Sequence, residues 1–178
     1  TLLLTLRGTP TVYYGDEIGM DNVSIPRDRM VDPAGLQQLD VPAASRDPER
    51  TPTQWQNTPN AGFSTPQSTP WLPVGDNLST INVEIQENAP QSDLNYFRAL
   101  TKLRQTYPVL IAGDYASLSL GESNAAISAD VFAFARTLGT QKIIVLLNIS
   151  AAEHDLPSTI NGQTILSSLG TTPNAGAT

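Results

Sequence analysis

Three regimes of hydrophobic spacing follow one another along the chain. The first is the apolar run Leu2-Leu-Leu-Thr-Leu6, closed by Arg7-Gly8-Thr-Pro10. Its composition predicts the end of a helix that stops at Arg7-Gly8, with Gly8 adopting the left-handed turn and Pro10 preventing continuation. Thr11-Val-Tyr-Tyr14 is β-branched and aromatic between glycines, which predicts a short buried strand. Residues 19–90 then lose both the helical and the strand period over most of their length, with prolines at 26, 33, 42, 48, 52, 59, 66, 70, 73 and 90. Structureless loops longer than about 12–15 residues are uncommon in compact domains and are usually functional or disordered. Trp55, Phe63, Trp71, Leu72, Ile81, Val83 and Ile85 are apolar anchors that a disordered linker lacks. The expectation is an ordered, lid-like loop folded over a pocket, with the alternation Ile81, Val83, Ile85 forming a short strand.

The second regime is helical. Tyr96, Leu100, Leu103 and Tyr107 recur at i, i+4, i+7 and i+11, and Leu94 and Phe97 widen the stripe. Ser92 is placed to cap this helix, Asp93 suits the positive end of its dipole, and Pro108 ends it. The third regime predicts strands separated by turns: Asp114–Leu120, Val131–Arg136 and Lys142–Asn148, with Ile165 and Leu166 marking a fourth.

Charge and composition remove several classes of function. A net charge of −7 and a pI near 4.5 disfavour nucleic-acid binding, which needs a basic footprint. No Lys/Arg run offers a membrane-surface patch, and no apolar stretch approaches the ~20 residues that span a bilayer. Cysteine is absent, so disulfides, thiolate nucleophiles and zinc–cysteine sites are excluded. The single histidine, His154, follows Ala151-Ala-Glu153 in a polar stretch and reads as a solvated loop residue rather than a ligand or general base. The chain opens inside an apolar run without an initiator Met and stops in the turn-like Gly170-Thr-Thr-Pro-Asn-Ala-Gly-Ala-Thr178, so it is expected to be a piece of a longer protein.

Asp16 and Glu17 form a carboxylate pair, and retaining glycoside hydrolysis uses two carboxyl groups about 5–5.5 Å apart. Adjacent residues of a strand point to opposite faces, so this pair is expected to be structural.

Arg46-Asp-Pro-Glu-Arg-Thr-Pro-Thr-Gln-Trp55 is the most informative stretch, and it follows Gly8-Thr-Pro-Thr-Val-Tyr-Tyr-Gly-Asp-Glu17. With Asn60-Ala-Gly-Phe-Ser-Thr65, Trp71-Leu-Pro-Val74, Ile81-Asn-Val-Glu-Ile-Gln86 and Leu103-Arg-Gln-Thr-Tyr-Pro108, it resembles the α-glucosidase (maltase) branch of glycoside hydrolase family 13, most closely the insect-type maltases. The motifs occur in the family's order and cover nearly the whole chain.

The resemblance implies a fold of class α/β plus all-β. Residues 1–108 would be the last strand, the long loop 19–90 and the last helix of a TIM (β/α)8 barrel, and 109–178 a small, truncated antiparallel β-sandwich domain. It implies that the catalytic carboxylates lie before Thr1, so that this chain alone is inactive. Arg50 is the candidate substrate-binding residue, in a loop leaving the C-terminal face of the barrel, where such enzymes build their sites. In the family this arginine pairs with an aspartate of an early loop at the floor of the glucose pocket and donates to hydroxyls of the terminal sugar, a task suited to a planar five-donor guanidinium. The competing role is a loop anchor held by ordinary ion pairs.

Trp55 could offer a sugar-stacking face, but a core anchor holding the loop to the barrel rim is the preferred reading. Relatives commonly carry aspartate after this tryptophan, where this chain has Gln56. Asn22, Asn77 and Asn148 begin Asn-x-Ser sequons and are candidate glycosylation sites if the parent is secreted by a eukaryote. The implied activity is hydrolysis of terminal α-linked glucose from a small α-glucoside without a cofactor, metal or nucleic-acid partner, by a protein secreted or anchored facing outside. The alternative is a barrel relative without catalysis, acting as an amino-acid transporter heavy subunit or a membrane-anchored toxin receptor.

Overall fold

A computed structural model describes residues 1–38, 44–120, 125–158 and 160–170. Helices α1 (Leu2–Thr5), α2 (Pro33–Gln37), α3 (Val83–Glu87), α4 (Asp93–Thr106) and α5 (Val109–Ala112) precede strand β1 (Asp114–Ser117), helix α6 (Ala125–Asp130) and strands β2 (Val131–Leu138) and β3 (Gln141–Asn148). The chain divides into two compact bodies, Val12–Tyr96 and Thr1–Thr11 with Phe97–Thr178, the division falling inside α4.

In the second of these bodies, β1, β2 and β3 form one antiparallel sheet in that order, with Ala135 opposite both Ala116 and Ile144. Central β2 is buried from Ala133 to Arg136, side chains of both faces included, as expected for a strand flanked and covered on each side. One face carries the cluster Leu120, Ile127, Val131 and Ala133, against which Leu118, Leu146 and Ile160 pack. The three strands follow the predicted alternation; the fourth, expected at Ile165–Leu166, does not form. The described residues thus supply one layer of the sandwich expected after residue 109.

Arg136 lies at the centre of this body with no exposed surface, and four carbonyls accept from its guanidinium: Thr5 at 2.7 Å, Leu110 and Gly113 at 2.9 Å, and Asp114 at 3.3 Å. Burial, above all, pulls its pKa below the ordinary arginine value, and the nearby Arg104 and Arg7 add to the effect. One side chain thereby ties α1, α5 and β1 to β2. Arg104 does a related task, donating to the carbonyls of Leu4, in the last turn of α1, and of Leu6 and Gly8 beyond it, where helical partners are missing. Helix α1 stops at Thr5, two residues before the predicted close, because Leu6 is already extended; Gly8 then takes φ 120. His154 is not solvated: its side chain is 12% exposed and its Nε2 lies 2.8 Å from Asp130 Oδ2.

Helix α4 begins where predicted. Ser92 Oγ accepts from Asn95 N–H at 3.2 Å, and Leu94 and Leu100 are buried along the stripe. The expected strand at Thr11–Tyr14 pairs with no described segment, and Val12, Tyr13 and Tyr14 are exposed. A barrel strand is defined by ladders to neighbours, and none pairs with it among the described residues. Asp16 and Glu17 accordingly stand in a 3-10 turn, not on a strand. Asp16 accepts from Tyr13 N–H and Glu17 from Gly15 N–H, so each carboxylate fastens the turn locally, and their structural role rests on this rather than on strand geometry.

Candidate active-site pocket

The body Val12–Tyr96 has almost no regular structure, and buried polar side chains take over the ordering that ladders provide elsewhere. Asp47 is 1% exposed and accepts from the N–H groups of Val31 and Asp32 at 2.7 and 2.8 Å. Asp32 returns the contact fourteen residues away, accepting from Arg46 N–H at 2.7 Å and from its guanidinium at 3.4 Å. These hydrogen bonds, the backbone one first, hold the Asp32 carboxyl below the usual carboxylate range. Each aspartate precedes a proline at the start of a short helical element: Asp32 caps α2, which opens at Pro33, and Asp47 is the first residue of the 3-10 turn Asp47–Glu49. The Asp32-Pro33 pair is a sequence signal of this clasp, since Asp favours the cap and Pro the first helical position.

The clasp ends at Arg50, whose N–H donates to Asp47 O at 3.0 Å. From here the motif alternates between fixed and free side chains. Thr51 and Pro52 are buried, and the Tyr14 hydroxyl donates to Thr51 O at 3.2 Å. Gln54 is buried and donates to Asn77 Oδ1 and to Ile81 O. The carbonyls of Gln54 and Trp55 accept from Val83 and Glu84 N–H, the first two free donors of α3, and Asn82 Oδ1 takes the third from Ile85. This capping is why Ile81–Ile85 is helical rather than the predicted strand: Asn82 has no exposed surface and acts as N-cap. Gln86 is a second buried anchor, donating to Ile18 O and accepting from Leu94 N–H.

Arg50 is left exposed, and among the described residues its guanidinium makes no salt bridge. It lines a pocket of about 460 Å³ with Tyr14, Thr51, Pro52, Thr53, Phe63, Pro70 and Trp71. The volume is within the range of small-molecule sites. Burial pushes the Tyr14 hydroxyl up to about 12, the neighbouring Tyr13 reinforcing this and Arg50 opposing it. Tyr14 is therefore a neutral donor at physiological pH, and no carboxylate lines the pocket among the described residues. With a guanidinium, hydroxyl donors and aromatic walls, the pocket is suited to holding and orienting a neutral polyol.

Trp55 differs from the core anchor expected of it: it is 49% exposed and lies outside the pocket lining. Its backbone does the anchoring, accepting from Glu84 and donating to Ala61 O. Of the other apolar anchors, Leu72 is fully buried, while Phe63, Trp71 and Ile85 are exposed. Tyr14, Phe63 and Trp71 are aromatic lining residues that sequence reading does not assign to a site, although each lies in a stretch that carries the family resemblance. Among the sequons, Asn22 is exposed and Asn148 is exposed at the end of β3. Asn77 is engaged between Gln54 and Asp21, donating to Asp21 Oδ2 at 3.0 Å. No metal-binding cluster of His, Cys, Asp or Glu occurs among the described residues, and no helix there is long and apolar enough to cross a membrane.

Known proteins match the chain over most of its length. It is 47% identical over 114 residues to the salivary alpha-glucosidase of Aedes aegypti, covering 63% of this chain and 19% of that protein. It is 40% identical over 153 residues to maltase 1 of Drosophila virilis, covering 84% of the chain and 23% of the relative. The crystal structure of isomaltulose synthase from Erwinia rhapontici NX5 superposes with a TM-score of 0.68 at 36% identity, over 83% of this chain and 28% of that one. The chain therefore spans about a fifth to a quarter of the length of these curated relatives. Residues 1–113 match the model of the alpha amylase catalytic domain, and the chain belongs to that family, glycoside hydrolase family 13.

Proposed function

We propose that this chain is the C-terminal portion of a longer retaining α-glucosidase, the parent enzyme, that releases terminal α-linked glucose from maltose, sucrose or short oligosaccharides. Residues 1–108 complete its barrel and residues 109–178 form its β domain. Arg50 carries the reading. Among the described residues its guanidinium makes no salt bridge, and it lines an aromatic-walled pocket on a loop whose neighbours Asp47, Thr51 and Gln54 are all buried. In the parent enzyme this cation clamps a carboxylate from another loop and donates to hydroxyls of the terminal glucose, closing the pocket so that only chain ends enter. The nucleophile and the general acid come from residues N-terminal to Thr1, consistent with a pocket free of carboxylates. Glucose release from maltose by the parent enzyme tests the reading; failure on maltose, sucrose and isomaltose alike would refute it.

The names of the insect relatives support a secreted or outward-facing parent, and with it N-glycosylation. Asn148 is the favoured acceptor because it is exposed at the end of β3 in a tight turn, where its Oδ1 accepts from Ser150 and its Nδ2 donates to Ala152 O. Asn77 is half-buried, with its amide between Asp21 and Gln54, and is disfavoured. Secreted from insect cells, the parent enzyme is expected to lose one glycan's mass on Asn148→Gln and none on Asn77→Gln. Peptide mapping that finds Asn77 occupied and Asn148 bare would reverse the assignment.

A further inference from the structure

Beside Arg50 the pocket presents two large aromatic side chains, Phe63 at 54% and Trp71 at 71% exposure. Side chains of this size gain most from burial, so a chain that holds them in a concave polar site keeps a surface ready for a ligand. The backbone before Phe63 is strained to this end. Asn60 and Ala61 take φ 57 and 56, a left-handed pair that non-glycine residues rarely adopt, and Gly62 continues it at φ 66. The turn is fastened from both sides. Trp55 and Gln56 N–H both donate to Ala61 O, at 2.9 and 3.0 Å, and Asn60 Nδ2 donates to the carbonyls of Thr65 and Ser68 at 2.7 and 2.8 Å. Ala61 is thereby buried completely and Phe63 is turned outward. Trp71 is held separately: Arg29 Nη2 donates to Pro70 O at 2.8 Å and to Trp71 O at 3.3 Å. Strain that the surroundings over-determine in this way collects at ligand sites.

We propose that Trp71, supported by Phe63, is a stacking wall for the second sugar ring of the substrate, the ring on the leaving-group side of the scissile bond. This rests on the α-glucosidase reading and on Arg50 serving the terminal ring. A pyranose has a C–H face that packs on an aromatic plane and a rim of hydroxyls that does not. Arg50 supplies donors for the rim of one ring, beside buried Thr51 and Pro52. The aromatic pair is the apolar surface left for the next ring, with Trp71 its most exposed member at the mouth. The wall recognises shape and apolar area rather than particular hydroxyls, so it tolerates different second rings.

The test compares α-glucosyl fluoride, which has no second ring, with maltose and maltotriose in the parent enzyme. Trp71→Ala is expected to lower kcat/KM for maltose and maltotriose about tenfold, the scale of losing a well-placed Trp contact, with the fluoride changed less than about twofold. Trp71→Phe should restore most of the loss, and the melting temperature should not move, since so exposed a side chain adds little to folding. Equal losses on fluoride and maltose, or no loss on either, would overturn the proposal. No turnover of any of the three substrates by the unmodified enzyme would refute the α-glucosidase reading itself, and the stacking wall with it.

Discussion

Arg50→Ala in the parent enzyme is expected to lower kcat/KM for maltose about a hundredfold or more while leaving the melting temperature nearly unchanged. The fall has two sources. Under the proposed role, the carboxylate facing the guanidinium loses the fork that fixes its orientation toward the sugar. The terminal sugar also loses donors at the pocket floor. Where those donors hold the sugar more tightly in the transition state than in the ground state, kcat falls together with the rise in KM. Stability is spared because the side chain is exposed and forms no salt bridge among the described residues, so the loop does not depend on it. The loop is held by the aspartate clasp and by Gln54 instead. Arg50→Lys should be nearly as damaging, because a single ammonium cannot reproduce the planar fork. A loop-anchoring role predicts the opposite pair of results: a lowered melting temperature with near-normal kcat/KM in the enzyme that remains folded.

Arg136→Ala should have the largest effect on stability in the chain. The substitution deprives the carbonyls of Thr5, Leu110, Gly113 and Asp114 of a donor and opens a cavity of nearly the whole side chain. Buried acceptors left unsatisfied cost roughly 1–3 kcal/mol each. A total of about 4 kcal/mol or more is a large part of the 5–15 kcal/mol that holds an ordinary domain together. Urea denaturation followed by near-ultraviolet circular dichroism should show the transition of the C-terminal body moving to markedly lower urea. Arg46→Ala provides the contrast. Its guanidinium is 60% exposed, and the buried Asp32 carboxylate keeps its shorter hydrogen bond from the Arg46 N–H, so this substitution should move the transition far less. Equal effects of the two substitutions would show that the four carbonyls find other donors.

What the sequence made legible follows from where structure is decided locally. Helix α4 could be read because its stripe, its Ser92 cap and its Pro108 stop all act within a turn or two of the chain. The three strands could be read because β-branched runs lie between turns and pair with their sequence neighbours. Thr11–Tyr14 pairs with no described segment, since a parallel barrel strand takes its form from its partners. Ile81–Ile85 was misread because alternation cannot report that Asn82 is buried and caps a helix against Gln54 and Trp55. Arg50 is a candidate through its motif, which names the residue but not its surroundings. The aspartate clasp joins residues 15 apart, and the aromatic wall depends on left-handed Asn60 and Ala61. No periodicity encodes either. Trp55 was assigned to the core because large aromatics usually go there, whereas here its backbone, not its ring, does the holding.

The most direct measurement is the anomer of glucose first released from maltose, followed by time-resolved proton NMR on the parent enzyme and on this 178-residue chain side by side. The account predicts α-glucose in the first turnovers of the parent enzyme, relaxing later to the equilibrium mixture, and no glucose from the chain alone. β-Glucose as the first product, or glucose released by the purified chain itself, would contradict it.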